Sequence, residues 1–305
     1  MRVLAATADG VWSVGAGASG AEPGAAALAG RDVADLVAVP GGWRALAGPA
    51  VFASDGRVVA ELTGPAATCL AAAGGREELL VGTEGAHLLR VAGGEARPEP
   101  GFDEADGRAR WYTPWGGPPD TRTIAVAGDG TVYVNVHVGG VLRSEGDGRW
   151  VPTVDIDADV HQVLVVPGDD DHVVAATALG LATSRDRGAN WTFTTGGLHG
   201  TYARAVAVAG DWLLMSASTG PYTDRAAVYR RPLGAAADEP FEPCASGLPA
   251  FTENIDTGSL VGSPSGQAVV AGPDGRLWAS SDAGAAWEEA ACGLPPVRRL
   301  VLPTG

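Results

Sequence analysis

One eight-residue pattern occurs twice in this chain, as Ser184-Arg-Asp186-Arg-Gly188-Ala-Asn-Trp191 and as Ser280-Ser-Asp282-Ala-Gly284-Ala-Ala-Trp287. Both read S-x-D-x-G-x-x-W. No other feature constrains the fold as much, because self-similarity at a fixed interval marks a chain built from repeated copies of one supersecondary unit. The copies start 96 residues apart, or two units of about 48. A decayed copy, Ser144-Glu-Gly-Asp147-Gly148-Arg-Trp150, starts 40 residues before Ser184 with its Asp displaced. A second marker closes three units: Gly197-Leu198, Gly247-Leu248-Pro249 and Gly293-Leu294-Pro295.

The pattern reads as a turn between two antiparallel strands. Its Asp can accept hydrogen bonds from the turn backbone. Its Gly takes a positive φ without steric cost. Its Trp opens the next strand and packs between sheets. Asp186 and Asp282 are therefore expected to be structural.

Between the markers one order recurs: an apolar strand, a Gly/Asp turn, a second strand ending in small residues, and a third running into the repeated turn. Residues 160–166, 172–177 and 180–184 form one set. Residues 203–208, 212–218 and 226–230 form the next, and 260–261, 267–271 and 276–279 a third. Residues 122–126, 131–137 and 141–143 fit upstream. Weaker sets start at 33–39 and at 66–72. The chain begins in mid-pattern at Val3, and the missing first strand is best supplied by residues 297–302 at the other end.

The S-x-D-x-G-x-x-W pattern resembles the Asp-box of BNR and sialidase-like β-propellers. Residues 121–293 are most similar to an intracellular, uncharacterised branch of that group, in Val138-Gly-Gly-Val-Leu-Arg-Ser144 and Asp159-Val-His161. The resemblance implies an all-β propeller, and the strand sets counted above, with half a unit at each end, give a single seven-bladed β-propeller over residues 1–305, closed by N- and C-terminal strands paired in one blade. The divergent first third also allows six or eight blades. In the resembled families the box turns lie below the ring, and functional residues gather at the upper face. The chain lacks the R-I-P-like motif near its N-terminus that true sialidases carry, and Tyr229 falls in a third strand, away from the funnel. Sialidase or glycosidase chemistry is therefore not expected.

Composition narrows the partners. Net charge is −15, with 21 Lys+Arg against 36 Asp+Glu. That argues against nucleic acid and against anionic membrane surfaces. No apolar run reaches the length of a membrane span and no leader pattern opens the chain, so a cytoplasmic location is expected. Cys69, Cys244 and Cys292 are scattered among small or apolar residues and read as buried thiols of a reducing compartment.

Propeller geometry sorts the candidate site residues. His87, His137, His161 and His199 map to the upper side and only His172 maps below. His137 and His161, with Tyr202 and Arg204, form the catalytic candidates. His137, His161 and His199 are a candidate set for a divalent metal ion, because neutral imidazole can ligate a metal or accept a proton near neutral pH. The opposing reading is that each ring satisfies local backbone groups. The long connection over 101–121 brings Arg110, Trp111, Tyr112 and Trp115 to the same rim, where they either form a binding lip or bury themselves over a divergent blade. His199, Tyr222 and Arg225 complete the rim.

Two functions follow. One is a polar or anionic small molecule held in the upper funnel, with His137 and His161 available for acid/base or metal chemistry. The other is a non-catalytic propeller that presents its upper face to a protein partner.

Overall fold

Two neighbouring faces of every strand set must be covered, and a ring of radially packed sheets covers them all. The computed structural model describes residues 1–15, 24, 26–74 and 78–303. Among the described residues, 27 strands fall into seven sheets. The arrangement is a seven-bladed β-propeller with almost no helix: only two single 3-10 turns occur, at Arg108–Arg110 and Ile156–Ala158.

Blades are numbered here around the ring. Their innermost strands are Val297–Val301 in blade 1, then Val33–Val39, Ala67–Ala72, Thr121–Val126, Val160–Val165, Tyr202–Ala209 and Leu260–Gly262 in blades 2 to 7. Each inner strand touches the next, and that of blade 7 touches that of blade 1, so the ring closes. Blade 1 is shared between the chain ends. Val297–Val301 pairs antiparallel with Arg2–Thr7, placing Leu300 opposite Ala5, and Arg2–Thr7 pairs with Gly10–Gly15. Pairing of the two ends in one blade removes the edges an open sheet would expose.

The second strand of a blade is covered on both faces. Val132–Val136 and Val173–Thr177 are buried at every position, which is why they read as continuous apolar runs. Seven buried apolar clusters result, one between each pair of neighbouring blades. The outermost strands, such as Thr192–Thr194 and Glu242–Pro243, are short and largely exposed. The three-strand units read in the sequence omit them, because exposed edge strands carry no apolar period.

The two repeated turns superpose in their bonding. Ser184 Oγ donates to Asp186 (2.8 Å) and accepts from Gly188 N–H (2.7 Å), while Asp186 accepts from Asn190 N–H (2.8 Å). Ser280, Asp282, Gly284 and Ala286 make the same three bonds at 2.8, 2.9 and 3.0 Å. Trp191 and Trp287 each donate to the Gly carbonyl, at 3.1 Å. In the decayed copy Asp147 caps only Arg149 N–H (2.9 Å), and Trp150 turns to Pro100 O of the preceding blade (3.1 Å). These turns sit at the opposite end of each blade from His137 and His161. Of the three cysteines, Cys69 and Cys244 are buried, but Cys292 is exposed, contrary to expectation, because it follows an edge strand.

Candidate functional site

Six of the seven inner strands carry an extra residue at their upstream end, where two positions face one on the neighbouring strand. Such bulges re-aim a side chain and are enriched next to active sites. The irregularities bracket Arg298, Ala34, Thr68, Arg122, His161 and the Arg204–Ala205 pair. Three consecutive blades thus place Arg122, His161 and Arg204 at one level of the ring.

His161 is fully buried. Its Nδ1 lies 2.6 Å from Ala203 O. A carbonyl only accepts, so Nδ1 carries a hydrogen, and Nε2 is the nitrogen turned toward Asp159. That Nε2 lies 3.5 Å from Asp159 Oδ2, and His137 Nε2 lies 3.8 Å from Asp159 Oδ1. The two predicted histidines therefore converge, and the group between them is Asp159. Asp159 is held at a left-handed φ of 44°, a conformation Asp tolerates better than most residues. Burial opposes ionisation of its carboxyl, but His161, His137 and Arg122 outweigh it and hold its pKa below the usual carboxylate range. Burial, reinforced by Arg122, pushes the His137 imidazole down to about 4, so it is neutral at pH 7.

Tyr202 stacks edge-on against the His161 ring, 4.6 Å between centroids. Burial raises its phenol pKa, keeping the hydroxyl a donor. Arg204 lies over the Tyr202 ring at 5.9 Å and pairs with Asp256. Thr257 ties this wall together from blade 7, donating to Arg204 O (3.0 Å) and to His161 O (3.3 Å). Arg122 differs from Arg204: half-buried, it makes no hydrogen bond or ion pair among the described residues. Burial and the nearby Arg204 lower its pKa, while Asp159 and Asp120 partly offset them.

Among the described residues five buried side-chain polar atoms lack a hydrogen-bond partner. Four belong to this region: Asn135 Oδ1, Asp159 Oδ1, His161 Nε2 and Arg204 Nε. Asn135 joins it through Nδ2, which donates to Val160 O (2.9 Å). Buried polar atoms are paired with protein or ordered water in the great majority of cases, so this concentration picks out the region as the candidate site.

The rim residues divide. Trp115, on the 101–121 loop, stays 69% exposed and rests against the His137 ring with 4.8 Å between centroids. Trp111 instead packs with Phe102 (6.2 Å) and under the Arg108 guanidinium (4.9 Å), joining the core between blades 3 and 4. Arg110 is exposed and lines a separate cleft of about 190 Å³ with Asp106 and Asp155. Tyr112, Tyr222 and Arg225 are exposed.

His199 corrects the proposed metal set. Its Nδ1 lies 2.6 Å from the Tyr229 hydroxyl and its Nε2 3.2 Å from Arg225 O, so both ring nitrogens are engaged between strands of blade 6. Among the described residues no group of three or more His, Cys, Asp or Glu side chains is placed to hold a metal ion. Arg122, Asp159, Asp256 and Asn135 were missed as site residues. The available signal was Arg122 between two threonines in an inner strand, and Asp159 at the point where the chain turns into His161.

Comparison with known proteins supports the fold. No family model matches the chain, and no curated protein matches it in sequence. Among solved structures it is similar to an ancestral GH74 enzyme (14% identity, TM-score 0.63, covering 88% of this chain and 37% of that one). It is also similar to the computationally designed Ika8 protein (15%, TM-score 0.65, covering 99% and 88%) and to the WD40 β-propeller domain of Doa1 (15%, TM-score 0.59, covering 85% and 82%). The GH74 xyloglucanase from Xanthomonas campestris shares 15% identity at a TM-score of 0.58, over 91% of this chain and 46% of that one. The chain thus spans less than half the length of the GH74 enzymes it matches. These neighbours include both enzymes and a WD40 domain, and at such identities the shared property is the propeller.

Proposed function

We propose that this propeller binds a small organic anion at the mouth of its funnel, between blades 4 and 6, with Arg122 as the counter-charge. The observation that carries this reading is the unpaired Arg122 guanidinium beside four unpaired buried polar atoms. In a chain of net charge −15, an arginine left without a carboxylate partner is a costly arrangement unless a ligand completes it. Tyr202 supplies a hydroxyl donor, Arg204 a second cation already balanced by Asp256, and Trp115 an apolar cover over His137. His161 Nε2, oriented by the Nδ1 bond to Ala203 O and backed by Asp159, is the proton-transfer group if the bound molecule is turned over. The Ser-Asp-Gly-Trp turns support kinship with the Asp-box propellers, on the structural side of the ring only.

Isothermal titration with a panel of small carboxylates, phosphates and sulfates tests the reading. Binding of at least one class, weakened about tenfold or more by Arg122→Gln, is expected. His161→Asn should leave that affinity within about threefold and abolish any turnover. Binding that ignores Arg122 overturns the proposal.

A second reading rests on Tyr112, Trp115 and Tyr222, three aromatics exposed on the same side. They suit a protein partner seated over the funnel. Loss of partner capture by Trp115→Ala with retention by Arg122→Gln would favour it.

A further inference from the structure

The fifth unpaired buried atom lies elsewhere. Arg231 Nε has no hydrogen-bond partner among the described residues, and the Arg231 residue is only 6% exposed. It lines a cavity of about 490 Å³ between blades 5 and 6, on the side of the repeated turn and away from the His161 region. That volume lies within the range of small-molecule sites.

The lining has a charged end and an apolar body. Arg231 Nη2 donates to Ala236 O, and its guanidinium lies 5.6 Å from the Phe241 ring. Arg185 reaches in from blade 5, its Nη2 donating to Leu233 O at 2.8 Å. Neither arginine makes an ion pair among the described residues. The carboxylate at the margin, Asp186, is committed to its own turn through Ser184 and Asn190. Asp238 and Glu239 moderate the field at Arg231 without bonding it. His172, 2% exposed, is held neutral at pH 7 by burial, its pKa lowered to about 4. Leu181, Leu213 and Leu233 supply its apolar wall, and Thr183, Thr192 and Thr194 line the side toward blade 5.

We infer that this inter-blade cavity is a second binding site, for a small organic carboxylate with an apolar body. The carboxylate meets Arg231 Nε and the Arg185 guanidinium, and the body lies on the three leucines. Two cations, partly offset by Asp238 and Glu239, match one negative charge better than the two of a phosphate monoester. The inference stands apart from the funnel site and shares no residue with it.

The test uses 2-naphthoate as probe and 2-naphthamide as its uncharged counterpart, titrated into the whole chain by calorimetry. Saturable binding of naphthoate is expected in the whole chain and in Arg122→Gln alike, weaker for the amide by about tenfold or more, because a charged hydrogen bond is lost. Arg231→Met should weaken naphthoate by a similar factor. Thr192→Trp, on the exposed strand beside the cavity, should block binding with both arginines intact, and serves if Arg231→Met does not fold. Arg122→Gln removes the funnel counter-charge, and naphthoate binding that depends on Arg231 should persist in that variant. Absence of saturable binding up to millimolar probe, equal binding of the amide, or binding lost in Arg122→Gln but kept in Arg231→Met each overturns the inference. The last outcome places the probe at the funnel and leaves the funnel reading standing.

Discussion

Arg299, on the C-terminal strand, grips Asp35, 264 positions earlier in the chain, through two hydrogen bonds of 2.6 and 3.2 Å. The same carboxylate accepts from Leu36 N–H (2.8 Å) and from Leu70 N–H (2.7 Å). Leu36 belongs to blade 2 and Leu70 to blade 3, so one buried side chain joins blades 1, 2 and 3 at the point where the ring closes. Burial works against the Arg299 charge, and Asp35 more than restores it.

Removing one partner leaves the other charged, buried and unpaired. Arg299→Met should cost about 3–5 kcal/mol, read as a lower urea midpoint, and Arg299→Lys should cost less. Asp35→Leu combined with Arg299→Met should recover much of the loss, because no lone charge remains. Deleting residues 296–305 removes the whole inner strand of blade 1 and should abolish cooperative melting. Unchanged melting in either case would mean that the closure bears no weight.

The repeated turns make a different demand. Asp282 is exposed, so water can replace part of what it gives. Asp282→Ala strands the Ala286 N–H and frees Ser280, and a loss of about 1 kcal/mol is expected. Anion binding measured on the folded fraction should not change. A selective loss of binding at normal melting temperature would move these aspartates to the functional side.

The fold was legible because its signals are local and repeated. Ser184, Asp186, Gly188 and Trp191 specify a turn by themselves, and a second copy supplies the interval. The closing pair was legible too, from half a unit at each end. The site was only partly legible. His137, His161, Tyr202 and Arg204 are chemically conspicuous, and blade geometry puts them on one side. Arg122 and Asp159 were hidden because their importance comes from what they lack or face across blades, and no spacing within one strand encodes that. Trp111 and Trp115 lie four positions apart in one loop, yet one entered the core and the other the rim. Trp111 packs on Phe102, which itself forms a T-shaped pair with Trp150 at 5.0 Å, and no such partner stands beside Trp115 in the sequence pattern.

The Gly-Leu markers acquire a physical meaning that separates their members. Gly247 has φ +83°, and a Cβ there would lie 1.8 Å from Trp287 O of the neighbouring turn; Gly197 has φ +84° and would meet Phe241 O at 2.2 Å. Gly293 has φ +77° with nothing within 4 Å. Gly293→Ala should therefore cost about 1 kcal/mol for the backbone alone. Gly247→Ala must also push two blades apart and should cost several times more. Equal melting temperatures for the two variants would refute the close approach.

Two buried histidines set the acid limit of the ring. Burial lowers the pKa of both His137 and His172 from 6.5 to about 4. Between those values the unfolded chain binds protons that the folded chain does not, so stability falls as pH falls. The contribution is intact above about pH 7, erodes from 6.5 downward, and is lost near 4, on the order of 3 kcal/mol for each ring. Asp129 and Asp186, lowered to about 2, remain ionised throughout that window and add no native-state titration to it. Above about pH 5 the slope of stability against pH therefore belongs mainly to the histidines, because ordinary carboxylates titrate lower, while Asp120, whose carboxyl pKa burial raises, works in the opposite sense. His137→Asn and His172→Asn should each flatten the denaturation midpoint between pH 5 and 6.5, and the double variant should flatten it further. A slope unaffected by both substitutions would show that these rings charge in the folded state as readily as in the unfolded chain.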